Sequence, residues 1–120
     1  LTAKSTAPSI EKILRFKKPP DGLFSANDTA ALFAIKQLQS RGISVPRDIA
    51  VAGYSNDPAG NLISPSLTTI DQSGYNIGQL AVAQILDMIH HHATGKKTER
   101  KIVIPVQLIV RESSLRKKNQ

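Results

Sequence analysis

Two short polar tips hold the residues best placed for chemistry. Gly22-Leu-Phe-Ser-Ala-Asn-Asp28 and Ile49-Ala-Val-Ala-Gly-Tyr-Ser-Asn56 each run an apolar, strand-forming segment into a polar end. A helix-like stretch lies between them, so the pair reads as a βαβ unit with both tips on one rim. In open parallel sheets, ligands bind just beyond the carboxyl ends of the strands. That rule sets Asn27 and Ser55 side by side on one crevice, where their amide and hydroxyl groups would hydrogen-bond a ligand.

Equipment for catalysis is missing from the sequence. It contains no Gly-rich phosphate loop, no His-Glu-x-x-His and no Gly-x-Ser-x-Gly elbow. His90, His91 and His92 are the only histidines. Consecutive residues point in different directions around a helix, whereas metal ligands need partners one turn apart, so a solvated helix end is expected. Asp28, Asp57 and Asp71 are imaginable as acid/base groups, but capping and turn roles account for the first two. With no cysteine there is no thiolate site and no disulfide, which fits a reducing cytoplasm. The expectation is a binding protein with no cofactor and no metal, not an enzyme.

The elements that position these residues are legible from periodicity and punctuation. Pro8 or Ser9 opens a first helix with Ile10, Ile13 and Leu14 on one face, and Pro19-Pro20 stop it. A strand over Gly22 to Ala26 follows. Asn27 or Asp28 caps the next helix, Gly42 ends it, and Ala31, Ile35 and Leu38 recur at helical spacing toward the core. Leu32 and Phe33 lie off that stripe, which suggests a partner surface. Ile49 to Tyr54 is the second strand, residues 57–66 a loop holding at most a helical turn, and Leu67 to Asp71 a short connector strand. The longest helix runs from Tyr75 to about Ala93, with Ile77, Leu80, Ala81, Ile85, Met88 and Ile89 on one side. Gly95 ends it. Lys101 to Val110 favours strand, broken by Pro105, which cannot donate to a ladder.

Composition bounds the rest. A chain of 120 residues with 40% hydrophobic content and no Trp suits one modest domain with an aliphatic core. No apolar run is long enough to span a bilayer, so no membrane partner is expected. The chain opens on Leu1 without a leader-like apolar run, and a piece of a longer protein is expected. The net charge of +7 is scattered over Arg15, Lys17 and Lys18, over Lys96, Lys97, Arg100 and Lys101, and over Arg116, Lys117 and Lys118. No aromatics interleave with these residues and none lies on a groove-reading helix, so they read as solvated surface.

Four phrases occur together and in order: Pro20-Asp-Gly-Leu-Phe-Ser-Ala-Asn-Asp28, Gly42-Ile-Ser-Val-Pro-Arg-Asp-Ile-Ala-Val-Ala-Gly-Tyr54, Ser64-Pro-Ser-Leu-Thr-Thr-Ile70 and Val110-Arg-Glu-Ser113. From about Pro8 to Ser114 the chain resembles the C-terminal part of a lac-repressor/galactose-repressor family transcription regulator. The resemblance implies an α/β fold: the parallel-sheet, three-layer lobe of a periplasmic-binding-protein-like (type I), two-lobed effector domain, truncated. It implies that 8–66 belong mainly to the C-terminal lobe, 67–72 cross between lobes, 73–95 form a helix of the first lobe, and 101–113 return, with 115–120 as a tail. The family's DNA-binding head would precede this stretch, so operator DNA is expected to be bound only through that head.

By the same resemblance, Asn27 matches the family position that reaches the effector. The residue after Gly-Tyr is commonly an aspartate that accepts bonds from sugar hydroxyls, and here it is Ser55, followed by Asn56. Loss of that carboxylate makes an anionic effector more credible. Gln72 matches a hinge position that also touches ligand. Leu32, Phe33, Leu62 and Ile63 resemble the family's homodimer seam. The expected function is effector sensing and dimerisation in a cytoplasmic regulator; the alternative is a periplasmic-type sugar-binding protein for transport or chemotaxis.

Overall fold

The structure, a computed structural model, describes residues 3–92 and 101–116. It divides into two compact units, Leu1–Asp71 with Leu108–Gln120, and Gln72–Gln107. The first contains helices α1 (Ala3–Leu14), α2 (Asp28–Gln39) and α3 (Ala59–Leu62) and strands β1 (Gly22–Phe24), β2 (Ala50–Ala52) and β3 (Thr69–Asp71). Helix α4 (Gly74–His92) lies in the second, and strand β4 (Gln107–Ile109), which pairs with β3, falls at the boundary between them.

β1 and β2 are parallel, with Gly22 opposite Ala50 and Phe24 opposite Ala52. Ala50 N–H and Ala52 C=O face β1, so alternation turns the groups of Val51, Gly53 and Ser55 to the other edge. β3 lies there: Ala52 bridges Thr68 in parallel, Gly53 N donates to Thr68 O at 2.8 Å, and Ser55 N donates to Ile70 O at 3.0 Å. Three strands therefore run in one direction and end on one rim, the α/β parallel-sheet arrangement expected.

α2 crosses from β1 back to β2 and buries Ala31, Ala34, Ile35 and Leu38. With Ile10, Val45, Ile49, Val51 and Leu67 they form the core. After α2, Gly42 takes the left-handed conformation (φ 76°), which allows Ile43 N to reach back to Leu38 O at 3.0 Å. α3 is the single helical turn expected.

Several boundaries differ from expectation. α1 starts at Ala3, with Pro8 inside it. Thr6 and Ile10, one turn apart, are both buried, and that burial carries the helix past the proline's missing N–H. Both sheet strands are shorter than their apolar runs, because the chain turns to form the tips. Leu32 is half-buried and packs on the core, so it is not a purely outward residue. Of the strand-forming run Lys101–Val110 only Gln107–Ile109 is strand, and the irregular part contains Pro105. On α4, the stripe of Ile77, Leu80, Ile85, Met88 and Ile89 is exposed, whereas Gln84 and Asp87 are partly covered. Gly95, Lys96, Lys97, Arg100, Lys117 and Lys118 lie outside the described residues, as do the side chains of His91 and His92. No helix among the described residues is long and apolar enough to cross a membrane.

Candidate functional site

Asn27 and Ser55 each stand three residues beyond the last paired residues of their strands, Phe24 and Ala52. The parallel register thus brings them level on the rim. Asn27 is the N-cap of α2: its backbone is extended (φ −153°, ψ 159°) and its Oδ1 accepts from Ala30 N at 2.8 Å. Ser25 Oγ donates to Asn27 O at 2.9 Å and steadies the entry. The cap uses only Oδ1, leaving the Nδ2 protons of Asn27 without a protein acceptor among the described residues. Ser55 is exposed and its hydroxyl has no protein partner among the described residues.

The backbone at the second tip is unusual. Ser55 has φ 129° and Asn56 φ 52°, values that cost a non-glycine residue about 1–3 kcal/mol and persist only where neighbours hold them. The holding groups are visible. Ser55 N is bonded to Ile70 O, and Asn56 N donates to Thr69 Oγ1 at 3.2 Å. Thr69 Oγ1 in turn donates to Asp28 Oδ1 at 2.7 Å, and Asp57 N donates to Asp28 Oδ2 at 2.7 Å. Asp28 is 1% exposed. Its carboxylate ties the first tip to the second and to β3, a larger role than the helix cap expected of it. Gly53 lies against that carboxylate, and a Cβ there would collide with Asp28 Oδ1.

Asn56 is committed on both sides. Its Oδ1 accepts from Arg111 Nη2 at 3.0 Å, and its Nδ2 donates to Asp71 Oδ2 at 3.1 Å. Asp57 Oδ1 accepts from Ala59 N at 2.9 Å, the turn role expected. Gln72, half-buried, is the first residue past β3 and opens the second unit. Sequence reasoning missed the aromatic pair behind the tips: Phe24, 62% exposed, meets Tyr54 edge-on with ring centroids 6.5 Å apart. The available signal was an aromatic residue close to the end of each strand.

The phrases Ser64 to Ile70 and Val110 to Ser113 clasp one another. Arg111 Nη1 donates to Leu67 O at 2.8 Å, and Glu112 Oε2 accepts from Ser66 N at 2.9 Å. Ser113, fully buried, donates from Oγ to Val51 O at 2.7 Å and accepts from Thr68 N at 2.8 Å. These groups lock β2 and the start of β3 below the rim. Among the described residues no group of three His, Cys, Asp or Glu side chains is placed to hold a metal ion.

Leu32, Phe33 and Ile63 line one side of an open groove of about 580 Å³ between α2 and the loop of α3, together with Ile35 and Ala59. Leu62 stands outside it, 86% exposed.

A parallel sheet whose polar tips converge beyond its carboxyl ends is the architecture of an open α/β domain. Residues 2–114 match the periplasmic binding protein-like domain, and the chain belongs to that family. Relatives and solved structures that it resembles include transcription regulators of the LacI type. It is 38% identical to the NTD biosynthesis operon regulator NtdR of Bacillus subtilis over 86% of this chain and 31% of that protein. A ribose-bound LacI family regulator from Enterococcus faecalis superposes with TM-score 0.80 at 32% identity, covering 94% of this chain and 40% of that one. The lac repressor dimer bound to operator and the anti-inducer ONPF gives TM-score 0.81 at 29% identity, over 95% and 33%. The chain spans about a third of the length of the curated relatives it matches.

Proposed function

We propose that this chain is the effector-sensing and dimerising part of a LacI/GalR-type regulator, in which a sugar or sugar-like molecule bound at the rim controls operator binding by DNA-binding heads elsewhere in the protein. The observation that carries the reading is the pair of uncommitted groups, Asn27 Nδ2 and Ser55 Oγ, on level tips of adjacent parallel strands. The carboxylates of Asp28 and Asp57 at these tips disfavour an anion, so a neutral polyhydroxyl ligand suits the rim better. The ribose in the Enterococcus faecalis relative supports the same ligand class. Asn56 and Gln72 enter the reading through the family resemblance, as do the assignment of 73–95 to the first lobe and the cytoplasmic location. The relatives named as transcription regulators favour this reading over a transport receptor.

The test is calorimetry on the full-length regulator with ribose and a panel of neutral mono- and disaccharides. Asn27→Ala should weaken binding of the responding sugar by about 1–3 kcal/mol, the cost of an unpaired polar group on the ligand. Unchanged affinity removes Asn27 from the site and leaves it a helix cap.

The dimer is proposed to form through the α2 and α3 face. Phe33 and Ile63 line the apolar groove there, Leu62 next to Ile63 in the chain is exposed, and the lac repressor neighbour is a dimer.

A further inference from the structure

The Arg-Glu-Ser phrase near the C-terminus contributes a residue to the rim that the proposed function does not use. Arg111, two residues beyond β4, uses both terminal guanidinium nitrogens: Nη1 donates to Leu67 O at 2.8 Å and Nη2 to Asn56 Oδ1 at 3.0 Å. Its backbone is held as well, since Arg111 N donates to Thr68 Oγ1 at 2.8 Å. On the other side of Asn56, Nδ2 donates to Asp71 Oδ2 at 3.1 Å. A guanidinium only donates, and an ionised carboxylate only accepts. The two neighbours therefore leave the Asn56 amide one orientation, with its oxygen toward Arg111 and its nitrogen toward Asp71.

We propose that Arg111 is a positioning residue for the effector rim, fixing the Asn56 amide so that its carbonyl oxygen is occupied and its one remaining N–H is the group offered to a ligand oxygen. The proposal rests on the reading of the rim as the effector site. It assigns a polarity to the second tip: the Gly53-Tyr54-Ser55-Asn56 turn presents a donor at Asn56 beside the exposed Ser55 hydroxyl. The matching ligand group is an oxygen with a free lone pair, as in a hydroxyl or carbonyl. The planar fork matters here, because Leu67 O and Asn56 Oδ1 are served by separate nitrogens held in one rigid plane, a geometry that a single ammonium nitrogen does not reproduce.

The test is NMR of the full-length regulator labelled with ¹⁵N at asparagine side chains, the Asn56 signal being assigned by its loss in Asn56→Asp. Exchange of the Asn56 Nδ2 protons with solvent is compared among the parent, Arg111→Lys and Arg111→Met. Arg111→Met frees the amide to turn away from Asp71, so exchange of the Nδ2 proton bonded there should speed up about tenfold, the loss expected for one ordinary hydrogen bond, and Arg111→Lys should fall between. Should Arg111→Met fail to fold, the Lys variant is read alone, and exchange equal to the parent's overturns the proposal. Unaltered exchange in Arg111→Met overturns it too, whatever the rim binds. Ribose and the sugar panel are then titrated into the parent, where the Asn27 and Asn56 side-chain signals should both shift. If neither shifts with any sugar while the Arg111→Met loss stands, the effector reading of the rim fails and Arg111 is reduced to a fold-locking residue. If Asn27 shifts and Asn56 does not, the effector reading stands and the positioning proposal falls.

Discussion

Asp28 is the side chain on which most of the rim depends. One buried carboxylate accepts from a hydroxyl on β3 and a backbone N–H of the second tip, and it fills the space that Gly53 leaves. Removing it leaves a buried hydroxyl and a partly buried N–H unpaired, so Asp28→Ala should destabilise the chain by on the order of 3 kcal/mol in urea unfolding. Gly53→Ala should destabilise it through a different cause, collision of the new methyl with the same carboxylate, Leu67 and Ala31. Because the two changes share a contact, the double variant should cost less than the sum of the singles; strict additivity in a double-mutant cycle would deny the coupling. Asn27→Ala should cost about 1 kcal/mol through the lost cap alone. Asn27 was legible as a cap because Asn after a strand and before an apolar-periodic stretch has few other uses. The reach of Asp28 was not legible, since its partners are 29 and 41 residues away.

Among the elements, the turn before β2 contains a local switch. Asp48 Oδ2 accepts from Ser44 N at 2.7 Å and Oδ1 from Arg47 Nε at 3.1 Å. Arg47, first, and then the Ser44 N–H hold the Asp48 carboxyl below the usual carboxylate range. A carboxyl depressed in the folded state stabilises the fold above its unfolded pKa, and loses that contribution as pH falls through the folded value. The Ser44 amide should therefore exchange faster, after correction for intrinsic rate, as pH drops below the ordinary Asp range, and Asp48→Asn should remove that pH dependence. An exchange profile that is flat in the parent would rule the turn out as a titrating element. α2 illustrates how far periodicity reaches: its stripe of Ala31, Ile35 and Leu38 is the buried face. The same reasoning placed an apolar face on α4, and the face exists, but it is exposed. Periodicity locates a stripe and says nothing of what covers it.

At the scale of the whole molecule, the proposed dimer gives the clearest expectation. Leu32 packs partly on the core, so Leu32→Asp would confuse folding with assembly. Leu62 is the cleaner probe, because at 86% exposure it contributes little to the fold. Leu62→Asp should lower the sedimentation mass of the full-length regulator toward monomer without changing its thermal stability at low concentration; unchanged mass would place the seam elsewhere. The chain by itself, whose +7 charge is scattered and not gathered on a reading helix, should bind duplex DNA weakly and without sequence preference. Gel shifts at rising salt should show that binding vanish.

The sequence by itself determined what local chemistry decides. Apolar runs ending in polar tips, a capping Asn, a left-handed Gly42 and a proline that breaks a strand each act within a few residues, and together they specify the α/β unit and the rim bearing Asn27 and Ser55. The tertiary structure alone decided which of those polar groups are spent. Ser55 and the Asn27 nitrogen remain available, whereas the Asn56 amide is fixed between Arg111 and Asp71 with a single N–H left over. Those partners lie 55 and 15 residues away. Hydrogen bonding of that kind depends on atoms meeting within about 3 Å, a distance that residue spacing does not encode and only the folding of β2, β3 and the Arg111 segment together creates.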